Sequence, residues 1–122
     1  MVTDDDVLAF VRDAIRSIWT LELLVLMQQD VGRAWCAEEI ATTMRANMRV
    51  ALEGLTALEQ VALVQVDGNG LFHYRPASPI LAETVRNVVE LYTRKPLAVV
   101  KTIHASPTSK IQTLADAFRF RK

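Results

Sequence analysis

Several kinds of residue are scarce in this chain of 122 residues, and each scarcity excludes a class of protein. Cys36 is the one cysteine, so no disulfide can form within the chain, which fits a reducing cytoplasm. Glycine and proline number four each, too few for collagen-like, linker-like or low-complexity sequence. No apolar run exceeds five residues, as in Leu23–Met27, and such runs are too short to span a bilayer.

The beginning of the chain lacks the basic residues that open a secretory signal peptide. Asp4, Asp5 and Asp6 stand there instead. With 51% apolar residues, the chain can build one hydrophobic core without disulfides. We therefore expect a cytoplasmic protein that forms a single domain over residues 1–122.

Sequence patterns for catalysis and metal binding are missing. His73 and His104 lie far apart, and neither has an acidic partner at a spacing typical of a catalytic pair. The chain contains no His-x-x-x-His, no Cys-x-x-Cys and no glycine-rich phosphate loop. The carboxylates of Asp4–Asp6 indicate a solvated helix start rather than a metal site. We expect no enzyme activity, no catalytic or metal-binding residues and no cofactor.

The charges cancel over the whole chain but are unevenly distributed. Residues 1–36 carry a net charge of −3, and residues 76–122 carry +5. Such asymmetry marks either a nucleic-acid-binding tail or two surfaces, in one molecule or in two protomers, that attract each other. We favour the second interpretation. In the basic tail, aromatic and basic residues alternate over Phe118–Lys122, which would also suit nucleic acid, but packing of a last helix over Ser109–Arg121 is the preferred reading.

Apolar periodicity and capping residues divide the chain into three parts. Residues 1–34 hold two helices, the first capped by Thr3 and the second running from about Ser17 to Gln29. Residues 35–75 hold helices that start near Ala37 and Asn47, followed by a hairpin. Residues 76–122 hold C-terminal helices. The predicted hairpin strands are Val61–Val66 and Leu71–Arg75, and the C-terminal helices are Ile80–Thr93, Pro96–Ile103 and Ser109–Arg121.

The central part has the core pattern of a known superfamily. The segments that carry this pattern are Ile40–Met44, Ala51, Leu55–Glu59 and Leu63–Val64. This pattern resembles the winged helix-turn-helix superfamily of small bacterial transcription regulators, such as the MarR-like and ArsR-like groups. The resemblance implies a mainly α fold with a small β-hairpin wing and extra N- and C-terminal helices.

The resemblance also implies a function in transcription regulation. In the superfamily the second helix of the motif enters the major groove of double-stranded DNA, and the wing touches the backbone. Transferred to this chain, the residues expected to bind DNA are Arg45, Asn47, Arg49, Thr56 and Arg75. Arg49 would read guanine, with Asn47 and Thr56 as helpers, whereas Arg45 and Arg75 would contact phosphates.

The charge of the same segment favours a different partner. Residues 37–75 contain three basic and five acidic residues, and a DNA-binding surface should have the opposite balance. Met48, Leu52 and Glu53 share the outward face of the second helix, unless this register is wrong and the two apolar residues belong to the core. Our first hypothesis is a DNA-binding regulator, and the alternative is a protein–protein adaptor that binds its partner through Met48, Leu52 and Glu53.

Two further expectations concern assembly and Cys36. The flanking helices carry more apolar residues than a small winged domain can bury, which predicts a homodimer. These residues are Phe10, Ile15, Ile18, Trp19, Leu23, Leu24, Val85, Val88, Val89, Leu91 and Tyr92. Cys36 occupies a helix N-cap position, where a thiolate is stabilised and can become redox-active, but a capping role is the preferred interpretation.

Overall fold

The structure is a computed structural model that describes residues 2–105. This part of the chain is mainly helical, with six helices and a small three-stranded antiparallel sheet. In chain order the elements are α1 (Asp4–Ala14), α2 (Ile18–Gln28), β1 (Ala34–Trp35), α3 (Ala37–Met44), α4 (Met48–Gln60), β2 (Val64–Val66), β3 (Phe72–Tyr74), α5 (Pro79–Arg94) and α6 (Pro96–His104). The predicted helix Ser109–Arg121 and the basic tail Phe118–Lys122 lie outside the described residues.

Capping side chains set the starts of α1 and α3, as the sequence predicts. The Thr3 hydroxyl accepts from the Asp6 backbone N–H at 3.2 Å, and the Asp6 carboxylate accepts from the Thr3 N–H at 3.0 Å. Cys36 and Glu39 repeat this reciprocal pattern at α3, with the thiol sulfur accepting at 3.4 Å. Both boxes satisfy backbone donors that have no partner within the helix.

A tight connection joins α3 to α4. Arg45 adopts the left-handed conformation (φ 55°) directly after α3, and the Ala46 N–H donates to the Ala41 carbonyl at 2.9 Å. Asn47 then caps α4, because its side-chain oxygen accepts from the Val50 N–H at 2.8 Å. The helix start predicted near Asn47 is therefore confirmed.

The sheet differs from the predicted hairpin in two ways. It has a third strand, β1, which pairs with β3, so the strand order is β1-β3-β2. The predicted strand Val61–Val66 is wrong in its first half, because Ala62 is left-handed (φ 64°). The N–H groups of Ala62 and Leu63 donate to Glu59 and Leu58 and thereby complete the end of α4.

Residues 19–85 form one compact unit with its own core. In this unit α3 packs against α4, and α4 packs against β2. A Cβ added at Gly54, in the middle of α4, would lie 3.0 Å from Leu23 Cδ2, so glycine permits a close approach there. The buried apolar residues of this unit are Leu21, Leu23, Leu24, Met27, Trp35, Ile40, Ala41, Ala51, Leu55, Leu58, Leu63, Val64, Tyr74 and Val85.

Residues 2–18 and 86–105 belong to a second compact unit, in which α1 packs against α6. The carboxylate of Asp4 accepts from Arg94 Nη2 at 3.2 Å and from Lys95 Nζ at 3.4 Å. These bonds, that from Arg94 first, lower the pKa of Asp4 below its usual value. For these residues the acidic beginning and the basic later part of the chain attract each other within one molecule. The buried apolar residues of this unit are Val7, Val11, Ile15, Val88, Leu91, Val99 and Ile103.

The sequence predicts that the flanking helices carry apolar residues that a single chain leaves uncovered. This prediction is wrong for most of the residues named. Six of them are at most 1% exposed, because the chain itself covers them. They are Ile15, Leu23, Leu24, Val85, Val88 and Leu91. Trp19 keeps an exposed fraction of 47%. The homodimer stays a prediction, but the buried residues of the flanking helices do not support it.

Candidate interface on helix α4

Helix α4 has a buried side and an exposed side. Ala51, Gly54, Leu55 and Leu58 are buried. The opposite side is formed by Met48, Arg49, Leu52, Glu53 and Thr56, which are all exposed and which we call the α4 face. These are the residues that the sequence places outward at helical spacing.

Two of the five residues on the α4 face are apolar. Met48 has an exposed fraction of 41% and Leu52 one of 43%, and they lie one helical turn apart. The possibility that a shifted register puts them into the core is therefore excluded. They belong to an open surface rather than to the interior of the unit.

The charges of the α4 face neutralise each other. Arg49 Nε lies 3.0 Å from Glu53 Oε1, in an ion pair between residues four apart on the helix. Both side chains are largely exposed, at 85% and 64%, so the pair adds little stability. Its main effect is on the potential of the face, because the guanidinium expected to read guanine is matched by a carboxylate.

The other predicted DNA-binding residues have mixed surroundings. The side-chain oxygen of Asn47 is occupied as the cap of α4, which leaves its amide nitrogen for other contacts. Thr56 is exposed on the α4 face. Arg45 and Arg75 are exposed, and within residues 2–105 neither forms an ion pair. Arg75 follows β3 directly, at the base of the hairpin.

An open hollow extends the α4 face toward the end of the helix. Its volume is about 620 Å³, and beyond the helical spacing of its residues no sequence pattern predicts it. It is lined by Arg49, Leu52, Glu53, Thr56, Ala57 and Gln60. A protein side chain can rest in such a hollow between an apolar floor and a charged rim.

The hairpin tip carries a carboxylate and no cation. Asp67 accepts from the Asn69 N–H at 2.8 Å, from the Leu71 N–H at 3.1 Å and lies 2.7 Å from His73 Nε2. The contact with His73, followed by the two backbone donors, lowers the pKa of Asp67. The expectation that His73 has no acidic partner is wrong. The predicted turn brings the two residues together, and that turn is the signal by which the pair could have been found.

The surroundings of Cys36 are those of a structural cap. Its sulfur accepts from the Glu39 N–H, and Glu39 also binds Arg33, whose Nη2 lies 2.9 Å from Glu39 Oε2. The hydrogen bond from the Cys36 N–H, then that from Arg33, lowers the pKa of Glu39. The Arg33 guanidinium also stacks 3.6 Å from the ring centroid of the buried Trp35. These contacts hold the thiol at the start of α3.

Among residues 2–105, no group of three or more His, Cys, Asp or Glu side chains is arranged to hold a metal ion. The helices of this described part are also too short or too polar to cross a membrane. Comparisons of the chain with protein-family models, with curated proteins and with solved structures give no match.

Proposed function

We propose that the chain is a winged-helix protein whose α4 face binds another protein surface. The winged-helix assignment is supported by the order α3, turn, α4, β2 and β3, with β1 pairing to β3 beside it. The observation that carries the function is the combination of exposed Met48 and Leu52 with an Arg49 that is neutralised by Glu53. We propose no catalytic role and no cofactor.

The electrostatics of the α4 face argue for protein rather than DNA. Binding to a duplex draws most of its affinity from cations placed on phosphates. The α4 face has no net charge, and the segment 37–75 carries −2. A duplex laid on α4 would bring phosphates close to the Glu53 carboxylate, which costs affinity.

The chemistry of the α4 face matches the central part of a protein interface. Methionine adapts its shape to a partner, and leucine supplies apolar area. The surrounding Arg49, Glu53 and Thr56 can form a polar rim. A few buried anchors of this kind supply most of the binding energy in protein complexes.

A DNA-binding transcription regulator remains the second candidate, because Arg45 and Arg75 are exposed and free of ion pairs within residues 2–105. In that function they would contact phosphates, and Arg49 would have to leave Glu53 to read a base, with Asn47 and Thr56 beside it. A homodimer would then bind two half-sites.

Photo-crosslinking at Thr56 tests the proposed function. A benzoylphenylalanine at this exposed position should form protein adducts in cells that produce the full chain, since a partner would cover it. Leu52→Asp in the same chain should reduce the adducts at least tenfold, because a buried leucine anchor typically contributes about 1.5–3 kcal/mol.

The matched control is Leu97→Asp, because Leu97 is 71% exposed and lies in the first turn of α6. This change should leave the adducts intact. The proposal is overturned if Thr56 gives no protein adduct while the chain binds a mixed-sequence duplex. Binding that falls steeply with salt and is lost in Arg45→Ala and Arg75→Ala would establish the second candidate instead.

A further inference from the structure

We infer that the partner of the α4 face is a second copy of this chain, bound with its α4 antiparallel about a two-fold axis. In this arrangement Arg49 of each copy pairs with Glu53 of the other. The inference rests on the protein-binding function proposed above and adds the identity of the partner.

The charge of the α4 face is self-complementary. A two-fold interface brings the same patch of both copies together, so a residue that contacts another is contacted by it in return. Arg49 and Glu53 carry opposite charges and are both exposed on one face. When two such helices run antiparallel, each guanidinium meets a carboxylate and no like charges are opposed.

The same pairing fixes the position of the apolar residues relative to the two-fold axis. Arg49 and Glu53 are separated by about 6 Å along α4, and the pairing puts the two-fold axis midway between them. Leu52 then lies within about one residue of the axis level, so the two leucines meet at the centre. Met48 of each copy approaches the Thr56 end of the other helix. Apolar contacts at the centre with charges around them are the usual order of an interface.

Forming the contact requires no existing ion pair on the α4 face to break. The existing pair between Arg49 and Glu53 need not be broken, because a carboxylate has acceptor sites for two guanidinium groups. Both side chains are already neutralised in the free chain, so little unpaired charge is dehydrated when the faces meet. Arg45 and Arg75 are not required.

The expected dimer is weak. One pair of helices of this length covers less area than the roughly 1,200 Å² that stable complexes start from. We therefore expect a concentration-dependent equilibrium between monomer and dimer.

Sedimentation of charge-reversed variants of the full chain tests the inference. The original chain should change from monomer to dimer between ~10 µM and ~1 mM. Arg49→Glu alone and Glu53→Arg alone should each weaken the dimer at least tenfold, because like charges then face each other. An equimolar mixture of the two variants should form a dimer about as tight as the original, and so should the double variant R49E/E53R.

Arg12→Glu is the control, because it reverses the charge of another exposed residue that pairs on its own helix, with Asp13 at 3.7 Å. It should leave the dimer unchanged. Circular dichroism of each variant establishes that α4 still folds.

A chain that stays monomeric up to ~1 mM, or a mixture that does not restore the dimer, overturns the inference. The proposed function can hold when this inference fails. If Thr56 still forms adducts that Leu52→Asp abolishes, and these adducts contain a different protein, then the α4 face binds protein but not its own copy.

Discussion

At the scale of the residue, one ion pair decides which partner suits α4. An exposed pair between residues four apart on a helix is worth only about 0.3–0.5 kcal/mol of stability. Arg49 carries the only positive charge on the α4 face, and Glu53 nevertheless neutralises it. The neighbouring Leu52 is 43% exposed, so the part of the face beside the neutral pair is apolar. Replacing Glu53 by an uncharged residue would therefore leave the α4 face positive without touching the core.

A second decisive residue is Asp67 in the hairpin. Its carboxylate is bound by His73 and by the N–H groups of Asn69 and Leu71, and its pKa lies below the ordinary value of 3.8. An acid whose pKa is lowered by folding stabilises the folded state fully above its unfolded pKa. That contribution is lost as the pH falls through the folded pKa.

Asp67→Asn is therefore expected to flatten the acid side of the stability profile. The amide keeps an oxygen for the backbone donors but does not ionise. The free energy of unfolding of the original chain should fall more steeply than that of the variant below pH 3.8, and the two curves should run parallel above it. Urea titrations between about pH 2 and pH 6 measure this difference.

Asp5→Asn is the control, because Asp5 takes no part in the hairpin. Its curve should follow that of the original chain more closely. Parallel curves for the original chain and Asp67→Asn down to the lowest pH would contradict the assignment of this contribution to Asp67.

At the scale of the element, what was predictable was local. The starts of α1, α3 and α4 follow from Thr3, Cys36 and Asn47, whose capping needs only residues within one turn. Strand β1 is two residues long and exists only because β3 lies beside it, so no local pattern indicates it. The α4 face was predictable from helical spacing, whereas the four-residue spacing of Arg49 and Glu53 permits an ion pair but does not show that it forms.

The role of Gly54 in α4 was also not predictable from local sequence, because it depends on a residue far away in the sequence. Gly54→Val should destabilise the chain by about 1–3 kcal/mol, since the new side chain overlaps the buried Leu23. Gly68→Ala is the comparison, because nothing lies within 4 Å of a Cβ at Gly68, and it should stay within about 0.5 kcal/mol. Thermal unfolding of both variants measures the difference. Equal stability of the two variants would show that α4 can move away from Leu23.

At the scale of the whole molecule, some acidic and basic residues of the described part of the chain pair with each other. Asp4 binds Arg94 and Lys95, so two basic residues of the later part of the chain are matched without nucleic acid. Most of the apolar residues on the flanking helices are covered by the chain itself. Within residues 2–105, the α4 face combines two exposed apolar side chains, Met48 and Leu52, with a neutral ion pair.

Protein, and in particular a second copy of this chain, is the proposed partner of the α4 face rather than DNA. The most direct measurement is the amide spectrum of ¹⁵N-labelled chain, recorded in separate titrations with unlabelled chain and with a mixed-sequence DNA duplex. The proposed binding predicts that signals of residues 48–56 shift with added chain and stay in place with added duplex at physiological salt. Shifts of residues 45–56 and Arg75 with the duplex, and none with added chain, would contradict it.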